Sequence, residues 1–139
     1  MLNEMERRAL DMLLAGDNSE LAVLRAQLSA ATVASRDFTG VGFFTRFAVP
    51  EELPRAKAYA DLVLGDLYAE VSGLENDAGF LLFVKGGTID VLECFIVDDR
   101  WPDGATMLRP YYVRPAVPGS SRLVETEQRD LEWALRDTV

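Results

Sequence analysis

Apolar positions recur along this chain with two different periods. Over the first thirty residues the spacing is helical: Met5, Ala9, Met12 and Leu13, then Leu21, Leu24, Leu28 and Ala31. Asn3 and Glu6 have the spacing of a capping box, in which each side chain satisfies an amide that the first helical turn leaves free. Asp17 and Glu20 repeat that spacing directly after Gly16, a residue suited to ending the first helix. These signals predict a helical hairpin over residues 1–31.

From Val41 the period falls to two. Val41, Phe43, Thr45, Phe47 and Val49 alternate with Gly42, Phe44, Arg46 and Ala48, and Pro50 and Pro54 end the run. A second strand is predicted near Leu64 to Val71, with Leu67, Ala69 and Val71 on one face and Asp66, Tyr68 and Glu70 on the other. Phe80 to Lys85 and Thr88 to Val97 flank Gly86-Gly87, a loop that favours a type I′ hairpin. Pairing Lys85 with Thr88 sets Phe80 opposite Glu93, Leu82 opposite Val91 and Val84 opposite Ile89. Both faces of this hairpin are apolar, as expected of strands in the middle of a sheet. Met107 to Val113 gives a fifth strand, at an edge because Pro110 lacks a donor. Val124, Gln128, Leu131 and Leu135 then predict a C-terminal helix over residues 121–137, with Trp133 off its apolar stripe. The chain reads as one α+β domain, 1–139, with an antiparallel sheet of about five strands within residues 38–113.

Composition narrows the chemistry. Fourteen basic against 23 acidic residues give a net charge of −9 in 139 residues. Such a balance opposes binding to a phosphate backbone, so no nucleic-acid partner is expected, even with Arg109-Pro110-Tyr111-Tyr112-Val113-Arg114 mixing cations and aromatics. Histidine is absent, which removes histidine-based triads and imidazole acid–base steps. The single cysteine, Cys94, allows no internal disulfide and reads as a buried core residue. No metal or cofactor is expected: Asp98, Asp99 and Asp103 lack the spacing of a calcium loop, and Gly40-Val41-Gly42 precedes a strand rather than a phosphate-binding helix. The N-terminus carries both charge signs and no apolar stretch, and no run is long enough to span a bilayer. A cytoplasmic protein without membrane contact is the expectation.

Phe38-Thr39-Gly40-Val41-Gly42-Phe43-Phe44-Thr45, Leu92-Glu93-Cys94-Phe95 and Trp101-Pro102, with the helical opening, resemble a family of short, uncharacterised bacterial proteins. The resemblance spans roughly residues 1–113 and implies a stand-alone bacterial domain; it implies no activity.

Glu93 is the one acid on an apolar strand face. There it is expected to be largely buried and hydrogen-bonded to an arginine such as Arg46 or Arg109, a tyrosine or a backbone amide, since an unpaired buried carboxylate is costly. With Asp66, Tyr68 and Glu70 it would form the ligand or active site of a carboxylate-dependent hydrolase. The main expectation is a non-enzymatic interaction protein. Residues 51–106 hold 4 basic and 12 acidic groups, so nearly all the net charge lies in that segment. A field of this sign steers a basic protein partner, such as a toxin met by an immunity-type protein. A homodimer is also expected, with Trp133 at its interface, because one short helix is all that remains to cover the second face of the hairpin.

Overall fold

The computed structural model describes residues 1–136. Helices α1 (Glu4–Leu13) and α2 (Ser19–Ala30) precede strands β1 (Thr32–Phe38), β2 (Gly42–Ala48), β3 (Leu62–Val71), β4 (Ala78–Lys85), β5 (Thr88–Phe95), β6 (Met107–Pro115) and β7 (Leu123–Thr126). A single turn of helix, α3 (Leu131–Ala134), follows. The α+β prediction holds, with seven strands in place of about five. β1 escapes the period-two reading because it is an edge strand with six of its seven residues exposed, so it carries no apolar alternation. β7 occupies part of the predicted C-terminal helix: the turn through Pro118-Gly119 brings Leu123–Thr126 back onto β6, and pairing overrides the helical spacing. The helix itself shrinks to Leu131–Ala134, and residue 137 lies outside the described residues.

The sheet has the order β1-β2-β5-β4-β3-β6-β7, and every neighbouring pair is antiparallel. Because β2 pairs with β5 and β3 lies beyond β4, residues 49–61 must cross the end of the β4–β5 hairpin. They are tied to it by Ala56 N–H on the Gly87 carbonyl (2.9 Å) and Gly87 N–H on the Ala60 carbonyl (2.7 Å). Gly86 and Gly87 both have positive φ, 60° and 76°, as a type I′ turn requires. From α2 the buried Gln27 amide donates to the carbonyls of Pro54 and Gly87 and accepts from Ile89 N–H, fixing crossing and hairpin together.

The helices contact one face of the sheet: α1 packs on β3 and β4, α2 on β5 and α3 on β3. One continuous core, including Leu10, Leu13, Leu24, Phe80, Leu82 and Leu92, fills this inner layer. Asn3 caps α1 with the predicted box, but α2 is capped by Asn18 rather than Asp17. The Asn18 carboxamide accepts from the N–H groups of Glu20 and Leu21, and the Glu20 carboxylate turns away to accept from Ala58 N–H. Trp133 is half-buried, with the Arg136 guanidinium 3.8 Å over its ring. Since α3 joins the layer formed by α1, no helix among the described residues lies over the outer face of the sheet.

Two β-bulges redistribute side chains between these faces. In β5, Ile89 pairs with Val84 but Val91 pairs with Phe83, so Asp90 is an extra residue. Leu92, Cys94 and Ile96 thereby join Phe80 and Leu82 on the inner face, while Val91, Glu93 and Phe95 turn outward. Glu93 lies opposite Leu81 and Phe44, not Phe80. In β3 the register shifts between Leu64 and Leu67, which sends Asp66 inward and leaves Tyr68 and Glu70 outside.

Asp66 is fully buried beneath α1 and is neutralised by Arg129, whose Nε and Nη2 each lie 2.8 Å from a carboxylate oxygen. Arg129 Nη1 also donates to the carbonyls of Met12 (3.2 Å) and Ala15 (2.7 Å) at the C-terminal end of α1, where carbonyls lack the regular helical donor four residues on. Its guanidinium stacks 5.0 Å from the Tyr112 ring, and the Tyr112 hydroxyl donates to the same Met12 carbonyl. Arg129→Ala strips a buried carboxylate of its partner and is expected to cost about 3–5 kcal/mol in urea unfolding. Combining Asp66→Asn with Arg129→Met should recover more than half of that loss; a double variant as unstable as Arg129→Ala would contradict this account.

Candidate functional site

The site is built where the ends of three segments meet: the start of α1, the β1–β2 turn and the 96–106 loop between β5 and β6. Backbone bonds hold the last two together. Trp101 N–H donates to the Gly40 carbonyl (2.8 Å) and Ile96 N–H to the Val41 carbonyl (3.0 Å). Gly42 makes the approach feasible: at φ 143° a Cβ there would lie 1.9 Å from the Cys94 carbonyl oxygen. The Gly40-Val41-Gly42 segment thus serves close backbone packing. The stretches Phe38 to Thr45 and Trp101-Pro102 are thereby adjacent in space.

Between these segments lies a cavity of about 650 Å³ lined by Phe38, Phe43, Trp101, Met5 and Met107, with Glu4, Arg8, Arg36 and Asp103 among its polar residues. The rings of Phe43 and Trp101 are 5.6 Å apart and inclined at 73°; those of Phe38 and Phe43 are 6.1 Å apart at 53°. Phe43 is buried and Trp101 half-buried, but Phe38 is 66% exposed.

Under this aromatic wall is a second buried carboxylate. Glu6 has no solvent exposure and accepts four hydrogen bonds: from Asn3 N–H (2.8 Å), Arg36 Nε and Nη2 (2.7 Å each) and the Thr45 hydroxyl (2.5 Å). Burial pushes its pKa up, but the bonds from Arg36, Thr45 and Asn3 outweigh burial and hold it below the ordinary value. Arg8 reaches the other side of the cavity, where Nη1 donates to the Met107 carbonyl (2.8 Å).

The residues singled out by sequence do not assemble into one site. Glu93 is half-buried on the outer face among Phe44, Leu81 and Phe95, and among the described residues its carboxylate accepts no hydrogen bond. The expected pairing is thus corrected: the Asp90 bulge turns Glu93 away from the core and from any fixed donor. Arg109, on β6, is held by Glu70 and Glu125 (β7, rather than β6 as Pro110 predicted, forms the sheet edge), and Arg46 is exposed opposite Val91. Burial against apolar neighbours raises the Glu93 pKa. Asp66 lies on the opposite face of the sheet, bound to Arg129. Tyr68 does share the face of Glu93; its ring meets Phe95 edge-on at 6.2 Å and stacks on Tyr111 at 6.4 Å, and burial raises its pKa. The Tyr111 hydroxyl is bonded to Asp77. A more open hollow of about 570 Å³ on this face is bordered by Phe44, Arg46, Val63, Phe83, Lys85 and Asp90; neither cavity is lined by Glu93. Cys94 is buried, and burial together with the charge of Glu93 pushes its thiol pKa well up. Asp99 ties loops together, accepting from Glu75 N–H (3.2 Å) and Arg100 N–H (2.7 Å).

Sequence reasoning passed over Glu6, Arg36 and the three-ring cavity. Glu6 was detectable, because Glu6, Leu10 and Leu13 follow the i, i+4, i+7 spacing of one helix face. The cavity depends on a long-range meeting of loops, to which local periodicity is blind.

Two pH-dependent outcomes follow. Glu6 has a lowered pKa when folded, so its contribution is present above the ordinary value of 4.5 and is lost as pH falls through the folded value. Glu6→Gln should therefore cost roughly 2–3 kcal/mol at pH 7 and progressively less as pH falls below 4.5, measured by urea unfolding. Glu93 has the opposite sign: its raised pKa favours the folded state at low pH and penalises it as pH rises through the raised value. Glu93→Gln should raise stability at pH 7 by under about 1 kcal/mol, screened by the exposed part of the side chain, and leave it unchanged below pH 4.

No protein-family model, curated protein or solved structure matches this chain.

Proposed function

We propose that this protein is a non-enzymatic binding module whose site is the cavity between α1, the β1–β2 turn and the 96–106 loop. The observation that carries this reading is the gathering of Phe38, Phe43 and Trp101, from separate segments, around one concave space. Phe38 adds weight because it stays largely exposed at the cavity wall, where it contributes little to the core and keeps apolar surface available for a ligand. The carboxylates and tyrosine that a hydrolase would recruit, Glu93, Asp66, Glu70 and Tyr68, are spread over two faces, with Asp66 and Glu70 tied to arginines, which favours binding over catalysis. The acidic 96–106 loop at the cavity mouth also fits the expectation of a basic protein partner.

A ligand that binds only the folded state stabilises it by about 2.7 kcal/mol at one hundred times its Kd. Thermal unfolding against a panel of small cationic, anionic and neutral apolar compounds should therefore reveal stabilising members. Their effect should vanish in Phe38→Ala and persist in Glu93→Gln. Stabilisation that survives Phe38→Ala and disappears in Glu93→Gln would move the site to the outer face and sink this reading.

A further inference from the structure

Resting on the binding-site reading above, we infer that the cavity selects a cationic group, an alkylammonium or quaternary ammonium carried by a small molecule or by a basic protein. Three aromatic rings inclined at 53° and 73° make a folded wall rather than a parallel stack, and such walls attract cations through the negative faces of their π systems. Met5 and Met107 add polarizable sulfur to the lining.

Charge points the same way. Arg36 is neutralised by the bidentate Glu6 carboxylate. Arg8 follows Glu4 by four residues on α1, which places opposite charges on one helix face though no ion pair joins them among the described residues, and its guanidinium donates to the Met107 carbonyl. Asp103 remains in the lining and makes no ion pair among the described residues. Asp98 and Asp99 against Arg100 keep the same loop net negative. An anionic ligand would have to take its countercharge from Arg8 or Arg36, both already bonded to oxygen acceptors of the protein.

The test compares choline with 3,3-dimethylbutanol, its uncharged isostere, and adds benzoate and a lysine-rich peptide. Binding is read from the Trp101 indole N–H resonance, told apart from that of Trp133 with Trp133→Phe. Choline should bind roughly 2- to 30-fold more tightly than the isostere, the range expected of a cation over aromatic faces. Phe38→Leu, which keeps apolar bulk at an exposed position but removes a ring, should erase most of that difference, and Asp103→Asn should weaken choline alone. A peptide that displaces choline in a salt-sensitive manner supports the inference with a basic protein as the source; choline outcompeting the peptide supports it with a small molecule as the source. Equal binding of choline and the isostere, or tighter binding of benzoate, overturns the cation selectivity while leaving the cavity as a binding site. If none of the four compounds moves the Trp101 resonance, the binding-site reading fails as well.

Discussion

Helix α1 lies over two buried carboxylates, and the arrangement of the inner layer follows from the need to satisfy both. Glu6, on its first turn, is answered by Arg36 from the edge strand β1; Asp66, under its last turn, is answered by Arg129 from the C-terminal segment. A carboxylate taken out of water costs several kcal/mol unless it is paired and hydrogen-bonded, so each arginine is required once the acid is buried. Among the described residues no buried side-chain polar atom lacks a partner, which shows how completely this requirement is met. The two pairs are not equivalent. Arg129 is almost fully enclosed and also closes the helix C-terminus, whereas Arg36 keeps one side toward the cavity.

The two faces of the sheet therefore differ in kind. The inner face is filled by Leu, Phe and Ile side chains under the helices. The outer face keeps Phe44, Leu81, Phe83 and Phe95 half-buried by one another, with aromatic rings laid over glycine backbone: the Phe95 ring occupies the space where a Gly79 side chain would stand. This lateral packing reduces the apolar area presented to water without a second layer.

Much of this architecture was legible from residue order. The capping box at Asn3, the glycine hairpin and the strands around it lie close to where periodicity puts them, because local hydrogen bonding and alternation dictate them. What periodicity could not carry was parity. One extra residue, Asp90, exchanges every later side chain of β5 between faces, and the shift next to Gly65 does the same to Asp66. Gly65 beside a polar residue was a usable hint of a bulge; Asp90 in a continuous strand pattern offered none. The same parity shifts explain why Glu93 and Asp66, read as members of one site, lie on opposite faces of the sheet with β4 between their strands. β1 and the cavity were hidden for other reasons: β1 is an exposed edge strand with no apolar alternation, and the cavity is defined by contacts between segments far apart in the chain.

The separation of 63 residues between Asp66 and Arg129 has a consequence for synthesis. Translation delivers α1 and Asp66 long before the guanidinium that neutralises them, and β2 before β5, its inner neighbour. Until Arg129 has emerged, the nascent chain holds an uncompensated acid beneath its first helix, and until β5 has emerged it also holds an unpaired strand edge bearing Phe43 and Phe47. Such pairings of distant segments form slowly and leave adhesive surface open meanwhile. The buried Asp66 is therefore locked in place only once the segment that carries Arg129 has been made.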